Sequence, residues 1–121
     1  MTKILIVEDE EGARAAIKKI MENYGYTVVD ATDCPDALEK FDSHGDVDIV
    51  FTDLSLPGLS GWDVAKAVKE RNPAVPVVIL SGWDIDNEKE AIRTSGVSRI
   101  LPKPVMIKEL IQAVKDFTSK G

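Results

Sequence analysis

Short unbroken apolar runs alternate along this chain with longer segments in which apolar residues recur every three or four positions. Ile4-Leu5-Ile6-Val7 is the first run, and a continuous apolar stretch of that length is what a strand buried on both faces shows. Ala13, Ala16, Ile17, Ile20, Met21 and Tyr24 then recur at helical spacing, and Gly25 supplies a stop. A second strand is predicted from Tyr26 to Val29, then a shorter helix marked by Ala37, Leu38 and Phe41 that ends near Gly45. The third strand, Val47 to Thr52, runs into Asp53. A helix from about Trp62 to Arg71 halts before Asn72-Pro73, since the residue preceding a proline is pushed away from helix. Val77 to Leu80 is the fourth strand. The following helix, from about Asp84 to Thr94, has only a thin apolar stripe of Ile85, Ala91 and Ile92. Arg99-Ile100-Leu101 is a short fifth strand, and Ile107, Leu110, Ile111, Val114 and Phe117 mark a final amphipathic helix.

Five strand–helix units joined by short connections predict an α/β fold, a parallel five-stranded sheet covered by helices on both faces. In such sheets ligands gather beyond the carboxyl ends of the strands. The residues placed there are Glu8 and Asp9, Asp53, Ser81 and Gly82, and Lys103 and Pro104. Singly each has an ordinary explanation. Asp53 caps a turn, Asp9 caps a helix, Ser81 satisfies a loop backbone and Lys103 is a solvated surface residue. Their coincidence at four strand ends calls for a common one.

Composition narrows the partners. The 121 residues, 44% of them hydrophobic, fit one domain with one core. With 21 acidic and 15 basic side chains, a net charge of −6 and a pI near 4.7, the chain is a poor direct partner for nucleic acid or an anionic membrane. A single cysteine, Cys34, allows neither an intrachain disulfide nor a cysteine-based zinc site. The one histidine, His44, sits beside Gly45 in a predicted loop and rules out a histidine metal cluster. MTKILIVEDE meets acid too early for a signal peptide or membrane span, so the expected setting is the cytoplasm.

Three carboxylates held close together repel, so at least one protonates unless a cation is supplied. A hard divalent cation with oxygen ligands, Mg²⁺ above others, relieves that repulsion and keeps positions open for water and phosphate oxygens. Asp53 then stays ionised and can act as a nucleophile that forms an aspartyl phosphate. The Lys103 ammonium and the Ser81 hydroxyl suit the phosphoryl oxygens as charge moves.

The acid pair in IVEDE, the strand-end aspartate in TDLSLPGLSG, the hydroxyl in LSG and the lysine in LPKP together resemble the receiver domain of two-component response regulators. The resemblance spans nearly the whole chain. It implies a flavodoxin-like (βα)5 fold with strand order 2-1-3-4-5, a single receiver domain over residues 1–121 and no effector domain within them. By the resemblance Asp53 is the phosphoacceptor. Asp9 binds Mg²⁺ directly, Glu8 assists through a water, and the backbone carbonyl of Ser55 completes the protein ligands. Ser81 is the switch hydroxyl and Lys103 pairs with the free or phosphorylated carboxylate, with a cis Lys103-Pro104 bond. Gly82 leaves room for the phosphodonor, while Pro57 and Gly61 shape the loop beyond Asp53. The phosphoryl group comes from a sensor histidine kinase, a phosphotransfer protein or a small phosphodonor. The output face is the fourth helix, fifth strand and fifth helix, acting on an effector protein or domain.

Two positions depart from the pattern or add to it. Ile100 stands where many receivers carry Tyr or Phe, which puts activation by aromatic rotation in doubt; it is equally a good strand residue. Trp83, two residues beyond Ser81, either overhangs the phosphoryl site and restricts water there or packs on the fourth helix or a partner. Trp62, at a helix start, reads as structural. Rival functions fare worse. A flavin carrier of this topology wants a Ser/Thr/Gly-rich phosphate loop where EDEEGAR stands, and an aspartate-nucleophile phosphatase wants a second acid where Ser55 stands. A pseudo-receiver used only for protein contacts would not need the intact acid–aspartate–hydroxyl–lysine set.

Overall fold

The computed structural model describes residues 2–82 and 88–118. In chain order the elements are β1 (Lys3–Val7), α1 (Glu11–Asn23), β2 (Thr27–Ala31), α2 (Cys34–His44), β3 (Ile49–Asp53), α3 (Gly61–Arg71), β4 (Val77–Ser81), α4 (Lys89–Ser95), β5 (Arg99–Pro102) and α5 (Ile107–Thr118). The strands form one sheet in the order β2-β1-β3-β4-β5, and every neighbouring pair is parallel. This is the predicted (βα)5 arrangement. Trp83 and the first residues predicted for the fourth helix, from Asp84, lie outside the described residues.

The apolar runs are continuous because both faces of the central strands are covered. All five residues of β3 and of β4 are buried. Alternate side chains feed two separate cores. Ile4, Ile6, Ile49, Phe51, Val78 and Leu80 pack with Met21 of α1 and with Leu110 and Val114 of α5. Leu5, Val7, Val50 and Val77 pack with Ala37 and Phe41 of α2 and with Val64 and Val68 of α3. Each core is therefore the period-two face of the sheet matched to the apolar stripe of the helices above it.

Local signals set the ends of the elements. Glu10, not Asp9, caps α1: its carboxylate accepts from the Gly12 N–H at 3.0 Å and the Ala13 N–H at 2.7 Å. Asp33 caps α2 by accepting from the Asp36 N–H at 2.9 Å. Gly45 ends α2 with φ of 60°, so His44 closes the last helical turn where the sequence predicts a loop. At the start of α3 the Ser60 N–H donates to Asp63 Oδ2 at 2.8 Å.

The chain enters the sheet at β1, adds β2 on one side and then crosses to the other side for β3, β4 and β5. The crevice this reversal opens lies beyond the carboxyl ends of β1 and β3. Glu8, Asp9 and Asp53 stand at those two strand ends. Among the described residues, no helix is long and apolar enough to cross a membrane.

Candidate functional site

Each candidate side chain owes its place to the strand it follows. Glu8 comes directly after β1, and its N–H donates to the Ala31 carbonyl at 3.0 Å, extending the β1–β2 ladder by one bond. Asp53 is the last residue of β3 and Ser81 the last of β4, while Lys103 comes directly after β5. The Lys103 N–H donates to the Ser81 carbonyl at 2.8 Å, tying these two strand ends together. The Lys103-Pro104 peptide is cis, as the resemblance implies. Glu8 (4% exposed), Asp53 (7%) and Ser81 (3%) are buried polar residues in a wall of apolar ones. Asp9 and Ser55 are exposed, Ser55 in the loop after β3.

The structure brings the charged groups together. Lys103 Nζ lies 2.6 Å from Asp53 Oδ1 and 3.7 Å from Glu8 Oε1. A carboxylate oxygen from each of Glu8, Asp9 and Asp53 lies within 4.8 Å of the others. Asp53 is thus an ion-pair partner of Lys103, and the cap of α3 is Ser60 instead. Among the described residues Lys103 pairs with two of the three clustered carboxylates, Asp53 and Glu8. Burial, helped by the negative charge of Asp53, pushes the Glu8 carboxyl above the ordinary carboxylate range, against the opposing pull of the Glu10 N–H and Lys103. Partial burial lowers the Lys103 ammonium, but its bond to Asp53 and the charges of Asp53 and Glu8 outweigh this, and the net direction is upward. Oxygen donors, two of them buried, with excess negative charge fit a small hard divalent cation.

Two glycines, Gly82 and Gly61, lie close to this cluster. Among the described residues, a side-chain carbon placed on Gly82 would meet only Lys103 Cβ, at 4.0 Å. On Gly61 it would lie 2.5 Å from the Asp53 carbonyl oxygen, so the start of α3 sits directly against the backbone of the strand end.

A family model described as the response regulator receiver domain matches residues 4–115. The chain belongs to that family. Members of this receiver family act as phosphorylation-activated signalling switches. Over 121 residues the chain is 36% identical to the sensory transduction protein RegX3 of Mycobacterium bovis, covering 100% of this chain and 52% of RegX3. It is 32% identical to the regulatory protein VanR of Enterococcus faecium, with 93% of this chain and 48% of VanR covered. The chain thus spans about half the length of these relatives. Among solved structures, a receiver domain from Clostridium thermocellum superposes with a TM-score of 0.92 at 29% identity, covering 99% of this chain and 96% of that one. TrrA from Thermotoga maritima, solved in complex with Mg²⁺-BeF, superposes with 0.87 at 27% identity, covering 97% and 99%.

Within this receiver domain Ile100 pairs with Ile79 in the sheet and is half-buried, which suits its role as a strand residue. Sequence reading missed the neighbourhood of Glu8. Arg14 Nη1 donates to the Glu8 carbonyl at 3.0 Å, and Arg14 Nε donates to Asp30 Oδ2 at 3.1 Å. The only local signal was an arginine set among Ala13, Ala15 and Ala16, and its partner lies sixteen residues further along.

Proposed function

We propose that Asp53 accepts a phosphoryl group and that the resulting charge changes the α4-β5-α5 surface, which regulates an effector protein or an attached output domain. The observation that carries this reading is the placement of Lys103 Nζ 2.6 Å from Asp53 Oδ1 beside the three clustered carboxylates. An oxygen of the Asp53 carboxylate attacks phosphorus. The new O–P bond forms as the bond to the donor breaks, and the imidazole of a kinase phosphohistidine, or acetate from acetyl phosphate, leaves. Glu8, Asp9, Asp53 and the backbone carbonyl of Ser55 would hold Mg²⁺. When bound, the ion neutralises the acids and the phosphoryl oxygens that approach them.

Lys103 is already paired with the carboxylate that reacts, so it stabilises charge on the phosphoryl oxygens without reorganising. Ser81 moves its hydroxyl toward the phosphoryl group once that group is in place, and its backbone bond to Lys103 joins the two responses. Gly82 keeps the donor's approach open. The phosphoryl group carries about −2 at neutral pH in place of the carboxylate's single negative charge, and this shifts a pre-existing balance between surface states. The phosphodonor is a sensor histidine kinase or phosphotransfer protein, and the chain catalyses only its own phosphorylation and dephosphorylation, in the cytoplasm. The Mg²⁺-BeF complex of TrrA and the regulators RegX3 and VanR among the relatives support this reading.

The test is incubation with Mg²⁺ and acetyl phosphate, followed by intact-mass measurement of the native chain and of Asp53→Asn. A hydroxylamine-labile phosphate adduct that needs Asp53 is expected. An adduct that persists in Asp53→Asn, or none at all, overturns the assignment.

A further inference from the structure

Arg14, the fourth residue of α1, reaches in two directions. One arm donates to the Glu8 carbonyl and the other to the Asp30 carboxylate. The side chain is 16% exposed, so the fork is mostly enclosed. Asp30 is itself a fixed post. It pairs with Ile6 in the β1–β2 register, its second carboxylate oxygen accepts from Lys18 Nζ at 3.4 Å, and its carbonyl accepts from Lys40 Nζ of α2 at 2.6 Å. The guanidinium is therefore held from behind and presents its other arm to the acidic loop.

Besides its ion pair with Lys103, Glu8 is gripped by three hydrogen bonds: its N–H by the Ala31 carbonyl, its Oε2 by the Glu10 N–H at 3.0 Å, and its carbonyl by Arg14. The third grip has the widest consequence. The peptide between Glu8 and Asp9 is planar and stiff, so fixing its oxygen fixes the direction in which the chain enters Asp9. Asp9 is exposed, without the apolar packing that holds Glu8 and Asp53 in place.

We propose that Arg14, braced by Asp30, is a positioning residue for the divalent cation: it sets the Glu8–Asp9 peptide and so orients both acids of the β1–α1 loop toward Asp53. This rests on the metal reading of the acid cluster given above. A simple charge effect has the opposite sign. If Arg14 acted only as a nearby positive charge, removing it would relieve repulsion and tighten cation binding. If it orients the acids, removing it weakens binding. Partners that orient metal ligands typically matter by about ten- to a hundredfold in affinity, and with two grips on Glu8 left intact the low end, about tenfold, applies.

The experiment is calorimetric titration of the native chain, Arg14→Met and Arg14→Lys with Mg²⁺ alone, with thermal unfolding of each in EDTA. Met keeps the apolar stem and removes both arms. Lys keeps the charge but cannot span two acceptors with a planar fork. Arg14→Met is expected to bind Mg²⁺ about tenfold more weakly and Arg14→Lys about threefold more weakly. A purely structural role would lower the unfolding temperature in EDTA and leave the Mg²⁺ affinity of the folded protein unchanged. Affinities within about twofold of the native value, or tighter binding by Arg14→Met, overturn the proposal. If Arg14→Met does not fold, Arg14→Lys decides by the same criterion. A native chain that takes up no Mg²⁺ overturns the metal reading itself, and with it this inference, and so differs from a failure of Arg14 alone.

Discussion

Gly61→Ala sets two physical effects against each other. Gly61 is the first residue of α3, and alanine is the better helix former by up to about 1 kcal/mol. Its φ is not positive, so alanine meets no backbone strain of its own there. The added carbon, however, would lie 2.5 Å from the Asp53 carbonyl oxygen, 3.0 Å from Leu54 Cα and 3.2 Å from the Asp53 carbonyl carbon. All three are backbone atoms, which cannot rotate away as a flexible side chain would. Restoring ordinary contact at 3.4 Å needs a separation of about 0.9 Å between the start of α3 and the end of β3. The bond from the Gly61 N–H to the Leu54 carbonyl, 2.8 Å long, spans that same gap and would stretch. Overpacking of this kind costs about 1–3 kcal/mol and a weakened hydrogen bond about 1 kcal/mol more. The contact therefore wins over propensity, with a net loss of about 1–3 kcal/mol. For a domain of this size that is a fall of about 3–12 °C in unfolding midpoint. Because the displaced atoms belong to Asp53, acetyl phosphate labelling should slow by about tenfold or more as well. Circular dichroism melts in EDTA and time-resolved intact mass read the two effects separately. A midpoint that is unchanged or raised, with native labelling kinetics, would refute the view that α3 is pressed rigidly against the Asp53 backbone.

Gly82→Ala should behave in the opposite way: among the described residues only Lys103 Cβ is nearby, at 4.0 Å, so stability should stay within about 0.5 kcal/mol, yet labelling should slow because the donor's approach narrows. Thermal melts beside adduct kinetics check this, and a destabilised but fully reactive variant would contradict it. Lys103→Met removes the ammonium paired with Asp53 and Glu8 in the acid cluster, so Mg²⁺ should bind more tightly by calorimetry while labelling slows by about a hundredfold. Burial raises Asp30, but Lys18, Arg14 and Lys40 outweigh it and hold its carboxyl below the ordinary value of 3.8. A depressed folded pKa means that its stabilisation is present above about pH 4 and is lost as pH falls through the folded value. Urea melts should therefore show a gap between the native chain and Asp30→Asn that is constant at neutral pH and closes below about pH 4.

The strand ends could be read from the sequence because this sheet is buried on both faces. Continuous apolar runs such as Val77 to Leu80 end where polar chemistry begins, and the structure puts Glu8, Asp53, Ser81 and Lys103 at one edge accordingly. Boundaries shifted where a polar residue was satisfied at a distance. β2 continues through Asp30 because Arg14 and Lys18 meet its carboxylate. β3 starts at Ile49 and not at Val47, because Asp48 caps the β1 end of the ladder by accepting from the Lys3 N–H at 2.8 Å. The bracing of Glu8 was invisible for the same reason, since nothing local to Arg14 announces Asp30 as its partner. The press of Gly61 on Asp53 was only half visible. In the sequence Gly61 reads as shaping the loop, but a distance to a backbone oxygen eight residues back exists only in three dimensions.

The short fourth helix gives the molecule an uneven thermal landscape. Of its seven residues only Ser95 is buried, with Ala91 and Ile92 half-buried, whereas β1, β3 and β4 are sealed between two cores. Free energy of local opening follows buried apolar contact. Amide protons of α4 should therefore exchange through small openings that leave the sheet closed, while those of β3 and β4 wait for global unfolding. A charge added at Asp53 would then redistribute the populations of the cheapest excursion available to the chain, with the carboxylate cluster itself anchored in its slowest-exchanging part.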